Sequence, residues 1–165
     1  MMFAVPITLA LSLTFSALPA AAHEKAHHGG KKAAAVKKEQ TEWGIAGEAK
    51  AADRVVKIKM LDTMRFAPDS IEVKQGETIK FVVINSGRML HEIVIGSHKE
   101  LNAHAALMAK FPGMKHEESY MAHVASGKSG QIVWTFNRVG EFMFACLIPG
   151  HYQAGMVGKI KVTAM

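Results

Sequence analysis

From Arg54 onward, apolar residues recur at every second position over short runs, and this pattern limits the fold more than any other feature. The runs are 55–60 (VVKIKM), 70–74 (SIEVK), 78–84 (TIKFVVI), 91–95 (HEIVI), 131–136 (QIVWTF), 141–146 (EFMFAC) and 156–163 (MVGKIKVT). A period of two places alternate side chains on one face, as a half-buried strand requires. Gln75-Gly76-Glu77, Gly127, Gly130 and Gly140 punctuate the runs as turns. Residues 99–111 (KELNAHAALMAKF) have helical composition, stopped by Pro112-Gly113, and 112–125 show no clear period. Seven short strands with glycine-bearing turns predict an all-β fold, a Greek-key β-sandwich of antiparallel strands with one short helical insert. The chain shows no internal repeat, no GxGxxG and no phosphate-binding glycine loop.

The rest of the chain divides around that domain. Residues 1–22 read as a signal peptide, an apolar stretch ending in Pro19-Ala20-Ala21-Ala22, a run that suits cleavage before His23. The stretch from Phe3 to Leu18 is shorter than the roughly 20 residues a membrane-spanning helix needs. A retained N-terminal anchor is the alternative reading. Export to the periplasm is expected, with no stable membrane insertion, since no later stretch is apolar enough. Residues 23–52 read as a flexible tail rich in His and Lys, with Trp43 and Ile45 docking onto the domain at 53–165. The formal charge of +6 suits an acidic redox partner or an anionic lipid surface, and nucleic acid is not expected for an exported protein.

The chain has one Cys against nine His and eleven Met. A single Cys excludes intramolecular disulfides, zinc ribbons and CxxC redox chemistry. In an oxidising compartment a lone thiol is buried, bound to metal or paired between chains. Cys146, His151 and Met156 form C-x4-H-x4-M in one loop between two strands. Thiolate, imidazole and thioether together are the soft donor set that selects copper. A second imidazole must come from elsewhere, and His91, opening a strand after Asn85-Ser86-Gly87, is the best placed. Cys146 is in phase with Phe142 and Phe144, Met156 with Ile160 and Val162, and His91 with Ile93 and Ile95, so each faces the core side of its strand. Plain packing roles for Cys146, Met156 or His91 are the alternatives. Two His, one Cys and a weak axial Met suit both Cu(I) and Cu(II), the requirement of electron transfer. Four protein donors leave no open position for substrate, which argues against an enzyme.

These residues bring a resemblance into view. The segments MRFAPDSIEVKQGETIKFVVINSG, LHEIVIG and GEFMFACLIPGHYQAGMVGKIKV, within residues 54–163, resemble the cupredoxins, single-domain type 1 copper proteins related to plastocyanin, azurin and rusticyanin. The C-x4-H-x4-M spacing is similar to rusticyanin's, and the whole most resembles the periplasmic copper-tolerance cupredoxins of the CopI type. The resemblance implies one type 1 copper per chain on His91, Cys146, His151 and Met156, and a monomeric one-electron carrier serving copper tolerance. It implies a redox partner protein such as a cytochrome or copper oxidase, met through an apolar patch of His151, Leu147, Ile148, Pro149 and Met89. Copper sequestration or delivery without electron turnover is the alternative function. His23, His27 and His28 are possible weak extra copper ligands. His98, His104, Met108, Met114, His116, Met121 and His123 crowd the insert, where most read as surface or packing residues and a second copper site is the alternative. Glu92 departs from the Asn or Ser that many blue proteins carry after the first His, and so alters the bonding expected near the Cys.

Overall fold

The computed structural model describes residues 38–165 apart from Gly113 and Lys115. The proposed leader and His23, His27 and His28 lie outside the described residues. In chain order the elements are β1 (Ile45–Ala46), a 3₁₀ turn (Ala49–Ala51), β2 (Arg54–Leu61), β3 (Arg65–Ala67), β4 (Ser70–Lys74) and β5 (Thr78–Asn85). Then follow β6 (His91–Gly96), α1 (His98–Lys110), β7 (Met121–Val124), β8 (Ser129–Thr135), β9 (Gly140–Ala145) and β10 (Val157–Thr163). They form two five-stranded sheets, β1-β8-β5-β2-β3 and β4-β10-β9-β6-β7. Ile58, Phe81 and Trp134 from the first sheet and Ile93, Phe144 and Ile160 from the second share one core, each at most 2% exposed. The sandwich expected from the alternation is therefore present, with each run's apolar face turned inward.

The sheets depart from the sequence reading in three ways. They are mixed, because β2 pairs parallel with β5 and β4 parallel with β10. After β2 and β3 the chain enters the other sheet as β4, and returns as β5 beside β2 in the same direction. Three strands, β1, β3 and β7, also escaped the pattern. At two to four residues they are too short to show a period. Gly130 is not a turn residue but lies within β8, opposite Val83. A Cβ there would stand 3.0 Å from a Val124 methyl, so glycine lets β8 and β7 come close.

Every residue of β6 is buried, with no alternation, because α1 covers the face that the core does not. The helix starts where Ser97 Oγ accepts from Glu100 N–H at 3.3 Å, an N-cap with the S-x-x-E spacing. It buries Leu101, Ala105 and Met108 against Val94, Met121, Ala145 and Leu147. Burial on both faces makes β6 and β9 rigid supports for whatever their ends carry.

The segment 40–51 is held on the domain, and the docking expected of Trp43 and Ile45 is found. Ile45 and Ala46 pair with Thr135 and Trp134 of β8, and Gly47 N–H donates to Val133 O at 2.9 Å. Trp43 is 7% exposed and its carbonyl accepts from Trp134 Nε1 at 3.0 Å. The Tyr120 ring stands edge-on to both indoles, with centroids 5.3 and 5.9 Å away.

Candidate metal centre

Cys146 follows the last residue of β9 and Met156 precedes the first of β10, so two paired strands deliver them side by side. Cys146 N–H donates to Met156 O at 3.0 Å, closing the base of the loop between them. Within the loop His151 N–H donates to Ile148 O at 2.9 Å, and Met156 N–H donates to His151 O at 3.0 Å. From outside, Arg65 Nη1 donates to Ala154 O at 2.9 Å and the Tyr152 hydroxyl to Asn102 Oδ1 of α1 at 2.6 Å. The loop is thus tied to both a strand and the helix, and its backbone polar groups are largely used internally.

His91 enters from the other side at the start of β6. Its Nε2 lies 3.0 Å from Asp62 Oδ1, and the same carboxylate accepts from Arg88 N–H at 2.7 Å and Met89 N–H at 3.4 Å. The Arg88 backbone amide first, then the His91 imidazole and the Met89 amide, hold the Asp62 carboxyl below the usual carboxylate range. Asp62 sits in the turn after β2, remote in sequence from His91, Cys146, His151 and Met156, and no local pattern marks it. A Cβ on Gly87 would run into the Asp62 carboxylate, so glycine is required for this approach.

His91, Cys146 and His151 each offer a donor atom, all within 4.8 Å of one another. Cys146 Sγ is 3.3 Å from His151 Nδ1, and the two imidazole centroids are 5.0 Å apart. With Nε2 donating its proton to Asp62, His91 presents Nδ1 as a lone pair, and that buried atom has no hydrogen-bond partner. An orphaned imidazole nitrogen beside a thiol and a second imidazole fits a soft or borderline metal ion. Met156 is fully buried at the loop base.

Around the sulfur, Glu92 N–H points at Cys146 Sγ from 3.5 Å, and Glu92 Oε1 accepts from Leu147 N–H at 2.8 Å. The departure at position 92 therefore does not leave the cysteine loop untethered, because the carboxylate makes the tie. Burial pushes the Cys146 thiol up to about 11, only partly opposed by the amides of Glu92 and Ile148. Burial, followed by the neighbouring His91, lowers His151 below the usual imidazole value. At pH 7 the free thiol is then protonated and His151 neutral, so metal uptake must expel the thiol proton. About one proton per copper is expected in a weakly buffered titration at pH 7. Apparent affinity should rise roughly tenfold per pH unit until the medium nears the thiol's own value. Uptake without proton release would contradict a thiolate ligand.

The family of copper-binding proteins described as plastocyanin/azurin matches residues 52–163. The chain belongs to this family. The copper-resistant cuproprotein CopI of Rubrivivax gelatinosus is 51% identical over 122 residues, covering 74% of each chain. CopI of Pseudomonas aeruginosa is 34% identical over 149 residues, covering 73% of this chain and 82% of that one. Among solved structures, auracyanin B superimposes with a TM-score of 0.61 at 19% identity, over 73% of this chain and 94% of that one. Auracyanin from Roseiflexus castenholzii gives 0.58 at 22% identity, over 68% and 98%. The cofactor of this cupredoxin is copper, and the His-Cys-His group is where the chain could hold one ion.

The rim of the site differs from expectation at one residue. Leu147 is 1% exposed and packs under α1, so it cannot belong to an exposed patch. Its neighbours fit better: Met89 and Pro149 are exposed and Ile148 and His151 half-buried, lining one groove of about 660 Å³. In the insert, Met108 and Met121 are core residues, and His98 is held by Asn102 at the helix start. His104, His116 and His123 gather instead. Ring centroids are 4.5 Å apart for His104 and His116 and 6.2 Å for His116 and His123. No helix among the described residues is long and apolar enough to cross a membrane.

Proposed function

We propose that this cupredoxin is a periplasmic one-electron carrier of copper tolerance, its type 1 copper held by His91, Cys146, His151 and Met156. The carrying observation is the prior assembly of His91, Cys146 and His151, with His91 oriented by Asp62, the Cys146 sulfur facing the Glu92 N–H, and the His151 ring 3.3 Å from that sulfur. Bound copper supplies the Cu(II)/Cu(I) couple. The chain supplies rigidity: Asp62 fixes the His91 ring, the Glu92 carboxylate ties down the Leu147 amide next to Cys146, and Arg65 and Tyr152 hold the loop. Donors that cannot relax keep the structural change between oxidation states small. With all four positions filled by protein, no place is left for substrate, and the reading is a carrier rather than an enzyme.

His151, half-buried beside exposed Met89 and Pro149, is the exit through which a redox partner such as a cytochrome or copper oxidase would be met by a monomer. The relatives' description as copper-resistant supports the role in tolerance, and the apolar leader supports export. Protein-film voltammetry should give a reversible one-electron wave with fast exchange, and a silent or irreversible response would count against the carrier. Met156→Leu should keep copper but raise the potential, since a donor favouring Cu(II) is lost. The rise is about 59 mV for each tenfold loss of preference for Cu(II) over Cu(I). An unchanged or lower potential would remove Met156 from the axial role.

A second reading, copper sequestration or delivery, is favoured by the gathering of His104, His116 and His123 beside Glu92. Glu92 is 1% exposed, and its Oε2 lies 2.8 Å from His123 Nε2 without hydrogen-bond alignment. Both ring nitrogens of His116 are buried and unpartnered. These nitrogens do not converge as tightly as those of the His91–Cys146–His151 group. Equilibrium dialysis should find more than one copper per chain, with one fewer in His116→Ala. One copper per chain in both proteins would end this reading.

A further inference from the structure

We propose that Glu92 is a positioning residue that couples the His104–His116–His123 cluster to the Cys146 thiolate, so that a divalent metal on the cluster raises the potential of the copper centre. The inference rests on the type 1 reading of His91, Cys146, His151 and Met156, and on the cluster taking a metal.

Glu92 touches both groups at once. Its backbone N–H points to Cys146 Sγ at 3.5 Å, and Oε1 holds the next amide, Leu147 N–H, at 2.8 Å. The other oxygen, Oε2, faces His123 Nε2 at 2.8 Å. The side chain is buried at 1% exposure, so little water screens the carboxylate from the sulfur. His123 in turn stands beside His116, and His116 beside His104. The first residue after the copper ligand His91 is therefore also the carboxylate wall of the histidine cluster. An Asn or Ser at this position would bring no carboxylate to His123.

The sign follows from charge. A carboxylate near the copper favours Cu(II) over Cu(I). A cation drawn to Oε2 and the three imidazoles offsets that charge, and so favours Cu(I). Linkage makes the effect reciprocal, so the cation must bind the reduced protein more tightly than the oxidised one by the same factor. Zn(II) is the probe, because three imidazoles and a carboxylate suit it and it has no redox chemistry of its own.

The experiment titrates Zn(II) into the copper-loaded full chain in both oxidation states by calorimetry, with the potential read before and after saturation. The expected result is roughly tenfold tighter Zn(II) binding to the reduced form, with a rise of about 59 mV in the potential. In Glu92→Gln the amide oxygen still accepts from Leu147 N–H, so the thiolate band stays while the Zn(II)-induced rise falls by at least half. His123→Ala, at a site 38% exposed on its side chain, should lose the rise equally and fold without difficulty. A rise of full size in both variants overturns the coupling, as does an unmoved potential where Zn(II) binding is measured. Zn(II) binding unaffected by His116→Ala overturns it by removing the metal from the cluster. A copper-loaded wild type without the intense thiolate band would instead mark failure of the type 1 reading beneath it.

Discussion

Cys146→Ser is expected to abolish the intense visible absorption of the copper-loaded protein and to weaken copper binding by orders of magnitude, with the sandwich still folded. A hydroxyl replaces the thiolate, the softest donor of the set, and cannot supply sulfur-to-copper charge transfer. The fold should survive because serine is close in shape and its oxygen keeps two polar neighbours, Glu92 N–H and His151 Nδ1. Burial of the hydroxyl should cost about 1–2 kcal/mol, a small part of a typical domain's stability. Absorption, circular dichroism and a thermal melt check the three parts. An intense band surviving in the mutant would refute ligation by Cys146.

Trp134→Ala should produce the largest loss of stability, about 3–5 kcal/mol, because it empties the centre of the sandwich. Trp134 is 0% exposed on β8, stands edge-on to Tyr120, and its Nε1 donates to Trp43 O. Its removal leaves a cavity and also releases the Trp43–Ala46 strap from the sheet edge. For a domain of this size the melting temperature should fall by roughly 10–20 °C. Copper should recover part of that loss, since a ligand binding only the native state stabilises it by mass action. A change of a few degrees would mean the strap and core are not joined through this indole.

The long alternating runs could be read from the sequence because each has one face in the core and one in water, as in β2, β4 and β10. β6 was legible as a strand, but not its burial on both faces, which depends on α1 folding back over Val94. β1, β3 and β7 were hidden by their length, since two to four residues satisfy any period. Parallel pairing of β2 with β5 is a property of chain routing between sheets, and no residue pattern encodes it.

The site divides in the same way. Cys146, His151 and Met156 share one short loop, so their spacing is enough to group them, and His91 stands out by opening a strand directly after a turn, with phase in support. Asp62 and Arg65 act from positions distant in sequence, Asp62 on the His91 ring and Arg65 on the carbonyls of Ala154 and Gly155. Glu92 was visible only as an unexpected residue. Its two side-chain neighbours, Leu147 by a hydrogen bond and His123 by close approach, come from β9's exit and β7, which the topology alone brings to it.

The most direct test is a Cu(II) titration of the mature protein followed by visible absorption and electron paramagnetic resonance, with copper counted per chain. The result expected is an intense thiolate-to-copper band that saturates at one equivalent, whether or not further copper binds elsewhere. Weak d–d absorption alone, growing over several equivalents, would contradict the type 1 centre and the electron-carrier reading with it.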